Sequence, residues 1–223
     1  GANSVAIGYA ALDAVTTNSN NVAIGHNALT TSTAEGNTAV GYESAKSNTT
    51  GYRNVSMGKD SFADNTTGNQ NVAIGNNALE KNTTAGDNTA VGFQALTAAT
   101  TGSQNVAVGA NALDANTTAA NNTAVGYNAM TNNTTGTANV AVGTASLVNP
   151  TGSSNNVAVG YAALNAVSTG SSLTAVGKDA LIANTTGDNN IGIGRDAGQS
   201  ITTGSNNIAI GVEALENVSS TNM

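Results

Sequence analysis

Chemistry that needs a nucleophile, a base or a soft metal ligand has little to work with here. The 223 residues include one histidine and no cysteine. Thiol catalysis is excluded, and a serine–histidine pairing has only His26 to draw on. Carboxylates such as Asp60, Asp64, Asp179 and Asp196 stand singly, whereas paired acid–base work needs two held in one cleft. Asp does not recur in register, so the calcium-binding nonapeptide of some β-rolls is absent as well. These residue types and spacings point away from an enzyme, and they imply no cofactor and no metal. What remains in quantity is the chemistry of amides and hydroxyls.

The amides fall into two sets. Asn-x-Ser/Thr occurs at Asn48, Asn54, Asn65, Asn82, Asn116, Asn121, Asn132, Asn133, Asn184 and Asn217. Six of these, Asn48, Asn65, Asn82, Asn116, Asn133 and Asn184, open a loop whose commonest form is Asn-Thr-Thr-Gly. An exposed loop makes them candidate acceptors for Asn-linked glycans, with the threonines as O-linked alternatives. Repetition in a chain rich in Asn and Thr also generates such triplets without any glycan. The second set is Asn21, Asn37, Asn54, Asn71, Asn88, Asn105, Asn122, Asn139, Asn156, Asn190 and Asn207. Stacked on one another, these would form a ladder of amides. Asn also simply favours the turn that enters a strand.

Both sets belong to one repeat. A motif of the form Asn-(Val/Thr)-Ala-(Val/Ile)-Gly places a glycine at 8, 25, 41, 58, 75, 92, 109, 126, 143, 160, 177, 194 and 211. Every step is 17 residues except the 16 from Gly25 to Gly41. A period this strict marks a solenoid in which each repeat is one coil. The expected fold is all-β, a parallel β-solenoid (β-roll) of thirteen 17-residue coils, forming a single repeat domain over 1–223. A surface made of like copies offers no singular pocket.

The columns of the repeat define its parts. The residue before each glycine is bulky and apolar, as in Ile7, Met57 and Ile74, and two earlier stands Val, Ile or Thr. Ala lies between them in eleven copies, with Ser56 and Gly192 as the exceptions. This alternation predicts a short strand with a β-branched face and a smooth Ala face. The Ala face suits close approach of a second layer of the same coil or of a neighbouring protomer. Four residues past the glycine comes a Leu-rich column, from Leu12 to Leu215, always preceded by Ala or Ser. It is expected on a second short strand or turn, so that each coil buries about three sizeable side chains. The Asn-Thr-Thr-Gly loop, home of the only proline and of the one-residue deletion, is expected on the surface. Tyr9, Tyr42, Phe93, Tyr127 and Tyr161 follow the repeat glycine, and are expected to cover an edge or join a contact between protomers.

The charge balance narrows the partners. Thirteen acidic and six basic residues leave a net charge of −7. The cations are scattered, so nucleic acid, which needs grouped Lys and Arg, is not an expected partner. No apolar run approaches the ~20 residues of a membrane-spanning helix, so no membrane span is expected. At about 4.8 Å per coil, thirteen coils predict a rod on the order of 60 Å. Neither end shows a cap of the kind that shields an open ladder. The expectation is an excerpt of a longer fibre or a subunit that stacks end to end.

The strand motif, as Asn3-Ser4-Val5-Ala6-Ile7-Gly8 and again as Asn71-Val72-Ala73-Ile74-Gly75, resembles the head repeat of YadA-like trimeric autotransporter adhesins. The match covers the strand in all thirteen copies, but the adhesin repeat is typically about 14 residues and this one is 17. The longer unit, such as Asn122–Asn139, is also similar to repeats of phage tail-fibre-like proteins. The resemblance implies a left-handed β-roll, assembly as a homotrimer, and attachment to host surfaces or surface glycans. The function expected is an extracellular or cell-surface structural and adhesive fibre segment with a multivalent surface. A phage tail-fibre shaft is the alternative. Ice binding, which other β-solenoids perform through flat threonine arrays, is disfavoured because threonine shares its strand column irregularly with Val.

Overall fold

Val, Ile and Thr favour extended backbone, and each three-residue run before a repeat glycine is a β-strand. The computed structural model describes residues 2–14 and 18–218, with no helix among them. The chain ends Gly1 and Met223 lie outside the described residues. The strands are β1 (Val5–Ile7), β2 (Val22–Ile24), β3 (Thr38–Val40), β4 (Val55–Met57), β5 (Val72–Ile74), β6 (Thr89–Val91), β7 (Val106–Val108), β8 (Thr123–Val125), β9 (Val140–Val142), β10 (Val157–Val159), β11 (Thr174–Val176), β12 (Ile191–Ile193) and β13 (Ile208–Ile210). Two compact units hold them, Gly1–Asn111 with β1–β7 and Ala112–Met223 with β8–β13.

Within each unit every strand pairs in parallel with the next, like upon like. In the first unit Val72 faces Thr89, Ala73 faces Ala90 and Ile74 faces Val91. In the second, Val140, Ala141 and Val142 face Val157, Ala158 and Val159. Each unit is thus a parallel β-solenoid with one turn per repeat, as the period predicts. The short step leaves the register intact, with Val22 on Thr38 and Ile24 on Val40. Main-chain bonding between coils continues beyond the strands. Gly92 N–H donates to Ile74 C=O at 2.8 Å, Leu79 N–H to Ala95 C=O at 3.0 Å, and Thr49 N–H to Thr66 C=O at 2.9 Å.

The repeat glycine ends the strand because no other residue fits there. Gly75 has φ +135°, and a Cβ on it would overlap the carbonyl of Gly92 in the next coil. The chain then turns through alternate left-handed residues, Asn77 at φ 58° and Leu79 at φ 53°. A leucine in that conformation costs about 1 kcal/mol. In exchange its side chain enters the core, where Leu29, Leu79, Leu96, Leu113, Leu147, Leu164 and Leu181 are fully buried. The Ala-Leu pair is therefore a turn rather than a second strand.

The strand faces are disposed differently from the expectation of three sizeable buried side chains per coil. The Ala column points inward, and Ala23, Ala39, Ala73, Ala90 and Ala107 are fully buried. The β-branched columns point outward, leaving Ile7 58% and Met57 41% exposed. A 17-residue coil has a narrow interior, and Ala opposite the Ala-Leu turn already fills it. In most coils a single side chain of the Leu column is the large apolar group inside, with Val167, Leu173 and Ile201 added in the second unit.

Polar groups complete that interior. In the first Asn column, Asn54 Nδ2 donates to Gly68 C=O at 2.9 Å, tying the start of a coil to its end. Its Oδ1 accepts from Asn71 N–H of the next coil at 2.9 Å. The loop column repeats the pattern, Asn65 Nδ2 donating to Asn48 Oδ1 at 2.7 Å and Asn82 Nδ2 to Asn65 Oδ1 at 2.8 Å. This second ladder stops at Ala99, and Asn82 Oδ1 is left without a partner. Asn184 stands in the same column between Val167 and Ile201, and both its amide atoms are buried and unpartnered.

These contacts separate two kinds of asparagine. Asn65→Ala should lower the unfolding free energy by about 1–3 kcal/mol, because it strands one donor and one acceptor. Asn184→Val should instead raise the midpoint of denaturant unfolding, because it deletes two orphan groups where β-branched neighbours already fit. Gly75→Ala should cost more than about 2 kcal/mol, from backbone strain and the clash together. Chemical denaturation followed by far-UV circular dichroism reads all three.

Candidate functional site

A side chain does chemistry only if it is reachable, and burial sorts the candidates. Asn48, Asn65, Asn82, Asn116, Asn133 and Asn184 are all fully buried. Their loop is only half on the surface. Its Asn and its Gly or Ala turn inward, and only the two threonines between them face out. Asn133 shows why, with Nδ2 donating to Gly136 C=O at 3.0 Å and Oδ1 accepting from Gly136 N–H at 3.1 Å. The side chain closes its own turn, so a glycan on that nitrogen requires the turn to open. The other Asn set, from Asn21 to Asn207, is buried too, and its members act as staples rather than as a binding face.

The possible reactive groups do not converge. His26 is stacked between Tyr9 and Tyr42, with ring centroids 5.2 Å apart in both pairs and interplanar angles of 20° and 11°. No acid–base partner of His26 is aligned with a nucleophile. Ser44, Ser56 and Ser61 are buried together, Ser44 Oγ lying 2.7 Å from Ser56 Oγ and Ser56 Oγ bonding Ser61. They satisfy one another and have no base beside them. Asp60, Asp179 and Asp196 are each paired with the cation that precedes them, Lys59, Lys178 and Arg195. Asp64 is paired with Lys81 of the next coil. Among the described residues no cluster of three or more His, Asp or Glu side chains is placed to hold a metal. No helix of the described residues is long and apolar enough to cross a membrane.

What each unit does present is an outward apolar sheet face. In the first unit it runs through Ile7, Ile24, Met57 and Ile74, each at least a third exposed. In the second it runs through Val142, Val157, Val176, Ile193 and Ile208. Tyr9, Tyr42 and Phe93, and then Tyr127 and Tyr161, line one margin of these faces and are about half or more exposed. Scattered apolar residues on a surface are ordinary, whereas these Ile and Val side chains lie in contiguous columns. The strand alternation could not say which of its faces was inside. One signal in the sequence could: Ser replaces Ala in the strand at Ser56 and in the turn at Ser44 and Ser61 of the same region. Hydroxyls exchanged together show that these columns touch, which puts the Ala face inward.

One carboxylate is poorly compensated. Asp114 stands in a mixed column, with Glu80, Thr97 and Thr131 at equivalent positions, and its Oδ1 is buried without a partner. Burial pushes its carboxyl above the usual carboxylate range, partly opposed by the N–H groups of Ala115 and of Asp114 itself.

No family model matches this chain, and no curated protein or solved structure was found to match it.

The Asp114 carboxyl predicts a pH signature. A raised folded pKa means stability that is complete below the unfolded value, about 4, and is lost as pH rises through the folded value. Asp114→Thr removes that loss. The variant should gain stability over the parent as pH climbs through the carboxylate range to neutrality. Thermal melts at a series of pH values check the sign.

Proposed function

We propose that the chain is a non-enzymatic structural segment of an extracellular or cell-surface fibre, an adhesin of the kind its strand motif resembles. Its outward Val/Ile face is the contact by which copies of the chain associate. The observation that carries this reading is the orientation of the strands: their largest apolar side chains face solvent while alanine fills the interior. A single chain gains nothing from that arrangement, since each buried Val or Ile would contribute about 1.5–3 kcal/mol. A neighbouring copy that covers the columns recovers this energy, and like residues at strand spacing let identical copies fit without a special sequence. The resemblance sets three as the expected number of copies. End-to-end stacking, as in a tail-fibre shaft, would instead use the unpaired backbone of terminal coils.

Once the apolar face is covered, the loops remain outside. Most of the described loops repeat a pair of exposed or half-exposed hydroxyls, as at Thr66 and Thr67 or Thr185 and Thr186. Assembly multiplies these copies, and weak contacts to a surface then add through effective concentration.

Ile74→Lys places a charge in the middle of the first unit's apolar columns. The parent should sediment as a trimer and the variant as a monomer with an unchanged far-UV spectrum. A parent chain that stays monomeric at all accessible concentrations would sink the proposal. Sedimentation that shows unlimited growth, insensitive to Ile74→Lys, would favour end-to-end stacking.

A further inference from the structure

The one irregular coil makes a place unlike any other on the surface. Sixteen residues separate Gly25 from Gly41, and the alignment of hydrogen bonds shows which residue is missing. Asn21 Nδ2 donates to Ala34 C=O at 2.9 Å, as Asn37 Nδ2 does to Gly51 C=O at 2.8 Å. Ala34 therefore takes the place of Gly51, and the absent residue is the outer threonine, the counterpart of Thr50. Without it the loop surface opens into a depression of about 490 Å³, lined by Asn18, Thr33, Ala34, Glu35, Thr50, Tyr52 and Arg53. That is the size of a small-molecule site.

The charges around it are also exceptional. Five of the six basic residues, Lys46, Lys59, Lys81, Lys178 and Arg195, form ion pairs with carboxylates. Arg53 forms none among the described residues, although the chain carries a net charge of −7. Its stem passes beside Gly36, and its guanidinium lies 5.7 Å from the Tyr52 ring centroid. The Tyr52 main chain is fixed in turn by its N–H bond to Asn69 Oδ1 at 2.9 Å. Glu35, in the same depression, has no ion-pair partner among the described residues either.

We infer that this depression binds a saccharide unit carrying one carboxylate, a sugar acid of the uronic or sialic class. Arg53 supplies the planar fork that matches a carboxylate. One cation suits one negative charge, and Glu35 in the same lining disfavours a multiply charged phosphate or sulfate. Glu35, Asn18, Thr33 and Thr50 offer acceptors and donors for ring hydroxyls. Tyr52 gives an apolar edge for the sugar's C–H groups. The site gives the adhesive reading a ligand class and rests on that reading for the choice of a saccharide. Its geometry is complete within the first unit.

The test titrates the full chain with 3′-sialyllactose and with trigalacturonate, each against lactose, by isothermal calorimetry. Saturable binding of at least one acidic sugar is expected, with lactose weaker by roughly tenfold or more. Arg53→Gln should weaken the acidic sugar by a similar factor. So should insertion of a threonine between Thr33 and Ala34, which restores a 17-residue coil and fills the gap. Gln70→Ala, at the position of Arg53 in the next coil, should change nothing. Binding of neither acidic sugar overturns the inference. So does equal binding of lactose, an Arg53→Gln variant that binds as the parent does, or a site saturated instead by a zwitterionic dipeptide. Sedimentation of the same samples keeps the two ideas apart. Acid-sugar binding without self-association leaves the site standing and removes the fibre contact, and the converse result does the opposite.

Discussion

Every part of this protein depends on main-chain hydrogen bonds made from one coil to the next. Strand, turn and loop all donate to the same element one repeat away, and the bonds recur at 2.7–3.5 Å at equivalent positions. Each bond is worth little in net terms, but breaking the register leaves many groups unpaired at once. This is why a period of 17 tolerates variation in nearly every column yet holds its glycine in all thirteen copies. The glycine lies where successive coils approach most closely, and any side chain there would push them apart. Nearest-neighbour stacking also explains how a chain with so thin a core can fold.

The side chains answer to that stacking in two ways. Inside, amides extend the ladder, because an asparagine over an asparagine can donate upward and accept from below. The arrangement works only while the column is unbroken. Val167, Leu173 and Ile201 replace asparagine in these columns, and Ile201 lies against Gly198, where the usual leucine is missing. Asn184 is caught between two such exchanges and keeps neither partner. Outside, stacking turns each single residue into a column. An isoleucine becomes an apolar stripe, a threonine becomes a row of hydroxyls, and one deletion becomes a gap in that row.

This logic also accounts for how the reactive side chains are distributed among the described residues. Catalysis gathers unlike residues from distant parts of a chain into one cleft. Here each residue's near neighbours are its own counterparts one repeat away. His26 accordingly meets Tyr9 and Tyr42 from the same column rather than a nucleophile. A singular site can arise only where the repeat is broken, and the short coil is the one place where the period itself fails.

The spacing of glycines alone was enough to specify a parallel β-solenoid, its register, and the identity of each strand, because a strict period admits only like-on-like stacking. Composition and the lone histidine carried the expectation of a structural chain rather than an enzyme. Which strand face is interior was not legible, since Val-Ala-Ile alternates equally well either way and conventional burial rules favour the larger residues. The left-handed leucine was hidden for a related reason: its type signals burial but says nothing of a backbone conformation that leucine normally avoids. The loop asparagines read as exposed because their sequence resembles a surface turn. Only the closed coil shows their amides bonding inward, because each amide closes its own turn from within and meets its counterpart in the next coil.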